Sequence, residues 1–164
     1  ETLIRMSGED GKIHPAASFM PAVEHMGLSR LADGFVLKRA LEELQGFPDL
    51  SLSVNISGSS LSSREWVERA VNLLGAHPEP ASRLIVEITG YAASHSPDQS
   101  REFAAELRAA RPGMPIAVVS ANIQDEVIAR ARSVEAAFLP KPLTGEALAG
   151  FLSGAALRLR RGVP

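Results

Sequence analysis

Apolar runs alternate with amphipathic stretches from one end of the chain to the other, the pattern of successive βα units on a parallel sheet. Five such units are predicted. The first has a strand at Glu1 to Arg5 and a polar turn through Gly8, Asp10 and Gly11. Helical periodicity then runs from Phe19 to about Leu44, broken at Gly27, with Phe35, Val36, Ala40, Leu41 and Leu44 as its apolar stripe. The second strand, Leu50 to Ser57, leads to a helix opened by Ser62, with Glu65 completing a capping box and Gly75 at the C-terminal cap. The third, Arg83 to Thr89, precedes a helix that begins at Ser96 with Pro97 in its first turn and ends before Pro112. The fourth is Pro115 to Ser120, followed by a helix capped by Asn122 that runs through Ile128 and Ala131. The fifth is Ala136 to Leu139, then Pro140-Lys141-Pro142 and a last helix from Thr144 to about Leu157. The expectation is one α/β domain over residues 1–164, a five-stranded parallel sheet with helices on both faces and right-handed crossovers.

The strands differ in kind. Side chains alternate along a strand, so Leu52, Val54 and Ile56 share one face while Ser51, Ser53, Asn55 and Ser57 share the other. A row of buried Ser and Asn costs energy unless it meets water, a ligand or a metal. The early strands therefore suit a polar centre such as a barrel mouth. The run Ile116 to Val119 is continuously apolar, as in a doubly covered sheet.

Composition narrows the partners. Net charge is −2 and the basic residues cluster only in the Arg158, Arg160, Arg161 tail, so nucleic acid is not expected. That tail complements a helix C-terminus. Apolar residues are 45% and charged residues 22% of the chain, and no apolar run of membrane-spanning length occurs, so neither disorder nor a membrane is indicated. Absence of cysteine suits a reducing compartment, and a cytoplasmic location is expected. The chain opens on Glu1 in place of Met, the expectation for a fragment, a processed product or an engineered segment.

Glu1, Asn55 and Glu87 fall on three consecutive predicted strands, the last two near C-terminal ends, where α/β folds gather ligands. Two carboxylates and an amide oxygen form a hard-donor set suited to Mg²⁺ or Mn²⁺. On spacing alone, Asn55 and Glu87 equally read as caps of neighbouring backbone groups and Glu1 as an exposed terminus. His14, His25, His77 and His95 show no metal-ligand spacing, and Trp66 reads as a packing residue on an amphipathic helix.

Glu1-Thr2-Leu3-Ile4-Arg5, Asp10-Gly11, Phe19-Met20-Pro21-Ala22-Val23-Glu24, Ser53-Val54-Asn55-Ile56-Ser57 and Val86-Glu87-Ile88-Thr89 together resemble the EAL family of cyclic-di-GMP phosphodiesterases over residues 1–108. That resemblance implies weakly held metal at Glu1, Asn55 and Glu87, and a substrate phosphate at Arg5. The chain departs from the family at Thr2, where Ala is usual, and at Gly90, where a second Glu follows Ile-Thr. The family's Asp-Asp-Phe-Gly strand, its later Lys and its further acids are missing.

Residues 111–157 resemble the second half of a response-regulator receiver. Met114 to Ala121 match its fourth strand and Phe138 to Leu143 its fifth, with Ser120 and Lys141 at the switch positions. The receiver's phospho-accepting Asp and first-strand acids are absent, and Ser120 and Lys141 also read as exposed loop residues. The resemblances imply either a receiver-like, flavodoxin-type order 2-1-3-4-5 or the open half of a TIM-type barrel with sequential neighbours. Three functions follow. One is a degenerate EAL-like signalling module that binds cyclic-di-GMP, a protein partner or a second copy without hydrolysis. Another is part of an active phosphodiesterase linked to a receiver. The third is a fusion of barrel and receiver pieces with no activity of its own.

Overall fold

A hairpin opens the chain. Strands β1 (Arg5–Ser7) and β2 (Ile13–Pro15) pair antiparallel with Met6 opposite His14. Gly11 takes the turn at φ 75°, and the Gly8 N–H donates to the Lys12 carbonyl at 2.8 Å. This corrects the expected first strand. Residues 2–4 carry no strand ladder, although the Thr2 N–H donates to the Ser53 carbonyl at 2.8 Å. The computed structural model describes residues 2–88, 97–110, 114–121, 123–133 and 135–161.

Two compact units, Glu1–Ser100 and Arg101–Pro164, divide the chain. In the first, α1 (Ala16–His25) ends where Gly27 adopts φ 69°. The Leu28 N–H reaches the Val23 carbonyl at 2.9 Å and the Gly27 N–H the Glu24 carbonyl at 3.0 Å, the paired bonds of a Schellman cap. That geometry is the break anticipated at Gly27, and α2 (Ser29–Gly46) starts just beyond it. Its buried face is Ser29, Asp33, Leu37, Ala40, Leu41 and Leu44. Phe35, expected in the stripe, is 63% exposed because it lies across the helix from Leu37 and Leu44.

Strand β3 (Leu52–Ile56) pairs parallel with β4 (Leu84–Ile88), Leu52 opposite Leu84 through Ile56 opposite Ile88. Val54, Ile56 and Leu84 are buried, and α2 packs on β3. Between the strands lie α3 (Gly58–Leu61), α4 (Arg64–Ala76) and α5 (Pro78–Ser82). Ser63, not Ser62, caps α4: its side chain accepts from the Trp66 N–H, while the Ser62 hydroxyl donates to the Gly58 carbonyl at 2.7 Å. Gly75 falls inside α4 and His77 closes it, with its ring Nδ1 2.9 Å from the Leu73 carbonyl. Trp66 is buried and its Nε1 donates to the Arg30 carbonyl at 3.0 Å, the packing role expected of it.

Helix α6 (Pro97–Ala110) spans the division between the units, its expected cap Ser96 lying outside the described residues. The second unit then has β5 (Ala117–Ser120), α7 (Asp125–Ser133), β6 (Ala137–Pro140) and α8 (Gly145–Arg161). Asn122 is likewise outside, and the side chains of 158–161 are not described. Strands β5 and β6 pair parallel, Ser120 opposite Pro140. Thr144 caps α8 by accepting from the Ala147 N–H at 3.2 Å.

The architecture is thus mixed α/β with short sheets, and among the described residues the strands hydrogen-bond as three pairs where one five-stranded sheet is expected. Direct pairing of β3 with β4 is the sequential order of a barrel portion. The 2-1-3 order of a receiver would seat the first strand between them. Among the described residues no helix is long and apolar enough to cross a membrane.

Candidate functional site

The β3–β4 pair has two unlike faces. On one, Val54, Ile56 and Leu84 are buried. On the other, parallel register places Ser53 beside Ile85 and Asn55 beside Glu87. Asn55 is half-buried, while Ile85 and Glu87 are exposed. Of the polar row anticipated for this strand, Ser53 and Asn55 lie half-buried on this face, while the Ser57 hydroxyl turns to Asp33. Thr2 lies along the same strand, its N–H on the Ser53 carbonyl, and its Oγ1 is buried without a hydrogen-bond partner among the described residues.

Of the residues expected to share a site, Asn55 and Glu87 come together. Two hard oxygen donors on one face fit part of a Mg²⁺ or Mn²⁺ donor set. Glu1, the third expected donor, lies outside the described residues. Among the described residues no group of three His, Asp or Glu side chains is disposed to hold a metal ion. Arg5 belongs to the hairpin, and its Nη1 donates to the carbonyls of Leu3 at 3.3 Å and Ile4 at 3.2 Å. The other two expected positions meet through their backbones in the second unit: the Lys141 N–H donates to the Ser120 carbonyl at 2.9 Å. Lys141 is exposed and Ser120 half-buried.

Asp33 was not anticipated. Its Oδ2 accepts from the Ser57 N–H at 2.8 Å, the Ser57 hydroxyl at 2.6 Å and the Ser60 hydroxyl at 2.7 Å, although the residue is only 7% exposed. The signal was an acid on the face of α2 that also carries Leu37, Leu41 and Leu44. A second charged centre closes the opposite end of the unit. Arg83 donates to the carbonyls of Leu44, Phe47 and Leu50 at 2.6, 2.9 and 2.7 Å, supplying the partners that the end of α2 lacks. Its fork also holds Glu79, whose carboxyl lies below its ordinary range because of that hydrogen bond. Asp10, in the β1–β2 loop, is lowered by the Lys12 backbone N–H and then by the Lys12 side chain.

The profile of the EAL domain family matches residues 1–119, reaching into the 111–157 segment expected to be receiver-like. A curated relative, the cyclic di-GMP phosphodiesterase PdeF of Escherichia coli (strain K12), is 29% identical over 93 residues, 54% of this chain and 12% of the relative. Among solved structures, the FimX EAL domain from Pseudomonas aeruginosa bound to c-di-GMP superposes with TM-score 0.65 at 21% identity, covering 79% of this chain and 52% of that one. The S helix-GGDEF-EAL structure of Vibrio cholerae LapD gives 0.63 at 18%, covering 92% and 45%. An EAL domain protein from Listeria monocytogenes EGD-e gives 0.62 at 14%, covering 98% and 66%. At these identities the structures share the fold with this chain, which spans about half the length of the FimX and LapD chains.

Proposed function

Because this chain belongs to the EAL domain family, we propose that it is a single α/β signalling module, residues 1–164, that binds cyclic-di-GMP without hydrolysing it. The observation that carries the reading is the pairing of Asn55 with Glu87 on the open face of β3–β4. Glu1, Asn55 and Glu87 would hold Mg²⁺ or Mn²⁺, weakly, for want of the family's later acids. A bound cation there supplies charge neutralisation to a phosphodiester. Arg5 would take a phosphate in a bidentate way once its guanidinium leaves the Leu3 and Ile4 carbonyls. Hydrolysis is left out because no Asp-Asp-Phe-Gly segment follows Glu87 in the sequence, and in-line attack between two ions needs an acid that bridges them. A cytoplasmic setting, and a protein partner or second copy as the receiver of the signal, belong to the same proposal.

Calorimetry with cyclic-di-GMP and Mg²⁺ tests it. Heat that disappears in Glu87→Gln is the expected result, and no heat at high micromolar protein overturns the binding. Turnover with Mn²⁺ that Glu87→Gln abolishes overturns the non-hydrolytic part.

A second reading attaches to residues 111–157, as a segment derived from a receiver. What favours it is the Lys141 N–H on the Ser120 carbonyl, which joins the two switch positions at neighbouring strand ends. A phosphoryl mimic that shifts the Ser120 and Lys141 resonances supports this reading. Unmoved resonances leave the whole chain to the EAL family.

A further inference from the structure

Resting on the reading of Asn55 and Glu87 as a ligand face, the geometry points to Asp33 as the positioning residue that sets the exit of β3 and thereby the aim of the Asn55 amide. Asp33 lies on the core face of α2 with Leu37 and Leu41, at 7% exposure. A carboxylate there costs free energy unless its oxygens are hydrogen-bonded. The cost does nothing for α2, which continues unbroken to Gly46.

The side-chain hydrogen bonds of Asp33 go instead to the segment leaving β3. The strand ends at Ile56, and the Ser57 N–H that follows is held on Asp33 Oδ2 at 2.8 Å. The Ser57 hydroxyl donates to the same oxygen at 2.6 Å while accepting from the Ser60 N–H at 3.4 Å, so it caps α3 in the same act. Ser60, fully buried, adds its hydroxyl at 2.7 Å. One oxygen thus fixes strand, turn and short helix immediately after Asn55. Asn55 is opposite Glu87 only while the ladder holds its register to Ile56 and Ile88. A ligand with soft support loses affinity even when the ligand itself is intact.

Because the three donors converge on Oδ2, an amide carbonyl can stand in its place. Asp33→Asn should keep the geometry, and Asp33→Ala should not. Three measurements decide, with Leu74→Ala in α4 as a control that destabilises the same unit away from the turn. For Mn²⁺ alone, Asp33→Ala should weaken binding about tenfold or more, Asp33→Asn should restore it, and Leu74→Ala should leave it unchanged. In ligand-free protein, the Asn55 side-chain amide resonances should move in Asp33→Ala and return in Asp33→Asn. The Ser57 amide should exchange faster in Asp33→Ala only.

Asp33→Ala that loses stability like Leu74→Ala, with Mn²⁺ affinity and Asn55 resonances unmoved, overturns the inference. If the unaltered protein binds neither Mn²⁺ nor cyclic-di-GMP, the ligand-face reading fails, and the ligand-free Asn55 resonances still decide whether Asp33 positions that amide. Should Asp33→Ala not fold, Ser60→Ala, which removes one donor, gives the same comparison against Asp33→Asn.

Discussion

Asn55 and Glu87 stand opposite each other across the β3–β4 ladder, in parallel register, so that both side chains leave the same face. Neighbouring strands lie about 4.8 Å apart, which puts two hard oxygens within reach of one ion. The pairing predicts a coupling that depends on metal. In a double-mutant cycle of Asn55→Ala and Glu87→Gln, the two changes should be non-additive by about 1 kcal/mol in Mn²⁺ binding. Their effects on stability without metal should add, since Glu87 is exposed. Additive losses in Mn²⁺ binding would mean that the residues act on separate ligands.

Thr2 carries a hydroxyl where its family usually has Ala, and that Oγ1 is buried with no partner among the described residues. A buried hydroxyl without a hydrogen bond costs about 1–3 kcal/mol. Thr2→Val, which keeps the shape and removes the orphan, should raise stability by about 1 kcal/mol in urea unfolding. Thr2→Ala should come out near neutral, because loss of the methyl, about 0.8 kcal/mol, offsets the gain. A destabilised Thr2→Val would show that the hydroxyl is satisfied.

Two local devices shape the helices, and both are open to single substitutions. Gly27 holds φ 69° with nothing within 4 Å of an added Cβ, so Gly27→Ala meets backbone strain alone and should cost about 1 kcal/mol. Ser63→Ala should cost a similar amount, about 1 kcal/mol, by stripping the cap from α4. Ser62→Ala should cost less, because the hydroxyl it removes is exposed and bonds the Gly58 carbonyl instead of capping α4. Thermal melts of the three variants check the ordering. A larger loss at Ser62 than at Ser63 would return the cap to the residue that the capping-box pattern selects.

The Ser62 and Ser63 pair shows where sequence reading stops. The capping-box spacing selects Ser62, three residues before Glu65, but the α3 turn occupies Ser62 with Gly58 and leaves Ser63 to cap Trp66. The break at Gly27 and the two-faced strand Leu52–Ile56 were legible because positive φ and strict alternation are local properties. The β1–β2 hairpin was not, since its strands are three residues each and carry no periodicity to count. Asn55 and Glu87, expected as metal donors, were legible as residue types on strands, and their opposition needed the ladder register. Asp33 escaped because its value lies in partners 24 and 27 residues away, Ser57 and Ser60. The five-stranded sheet was inferred by counting units across two resemblances, and counting does not say which strand sits beside which.

The Glu79–Arg83 pair should be visible in the pH dependence of folding. Both carboxylate oxygens meet the guanidinium, Oε1 with Nε and Oε2 with Nη2, each at 2.9 Å, and this hydrogen bonding holds the Glu79 carboxyl below its ordinary 4.5. In the unfolded chain the carboxyl regains that ordinary value, so it takes up a proton before the folded one does. Its stabilising contribution is therefore complete above pH 4.5 and is lost as pH falls through the lower folded value. Arg83 stays charged throughout, raised further by Glu79, and keeps its bonds to Leu44, Phe47 and Leu50. Glu79→Gln should thus lower stability at neutral pH and converge with the unaltered protein under acid. Asp10 is depressed by the Lys12 N–H in both proteins and contributes the same residual slope, which Asp10→Asn should remove. Arg83→Lys should destabilise at every pH, because an ammonium cannot grip Glu79 with a fork while reaching the end of α2. Urea unfolding from pH 7 to pH 3 measures all of this. A Glu79→Gln curve that runs parallel to the unaltered protein across that range would show that the pair contributes nothing that titrates.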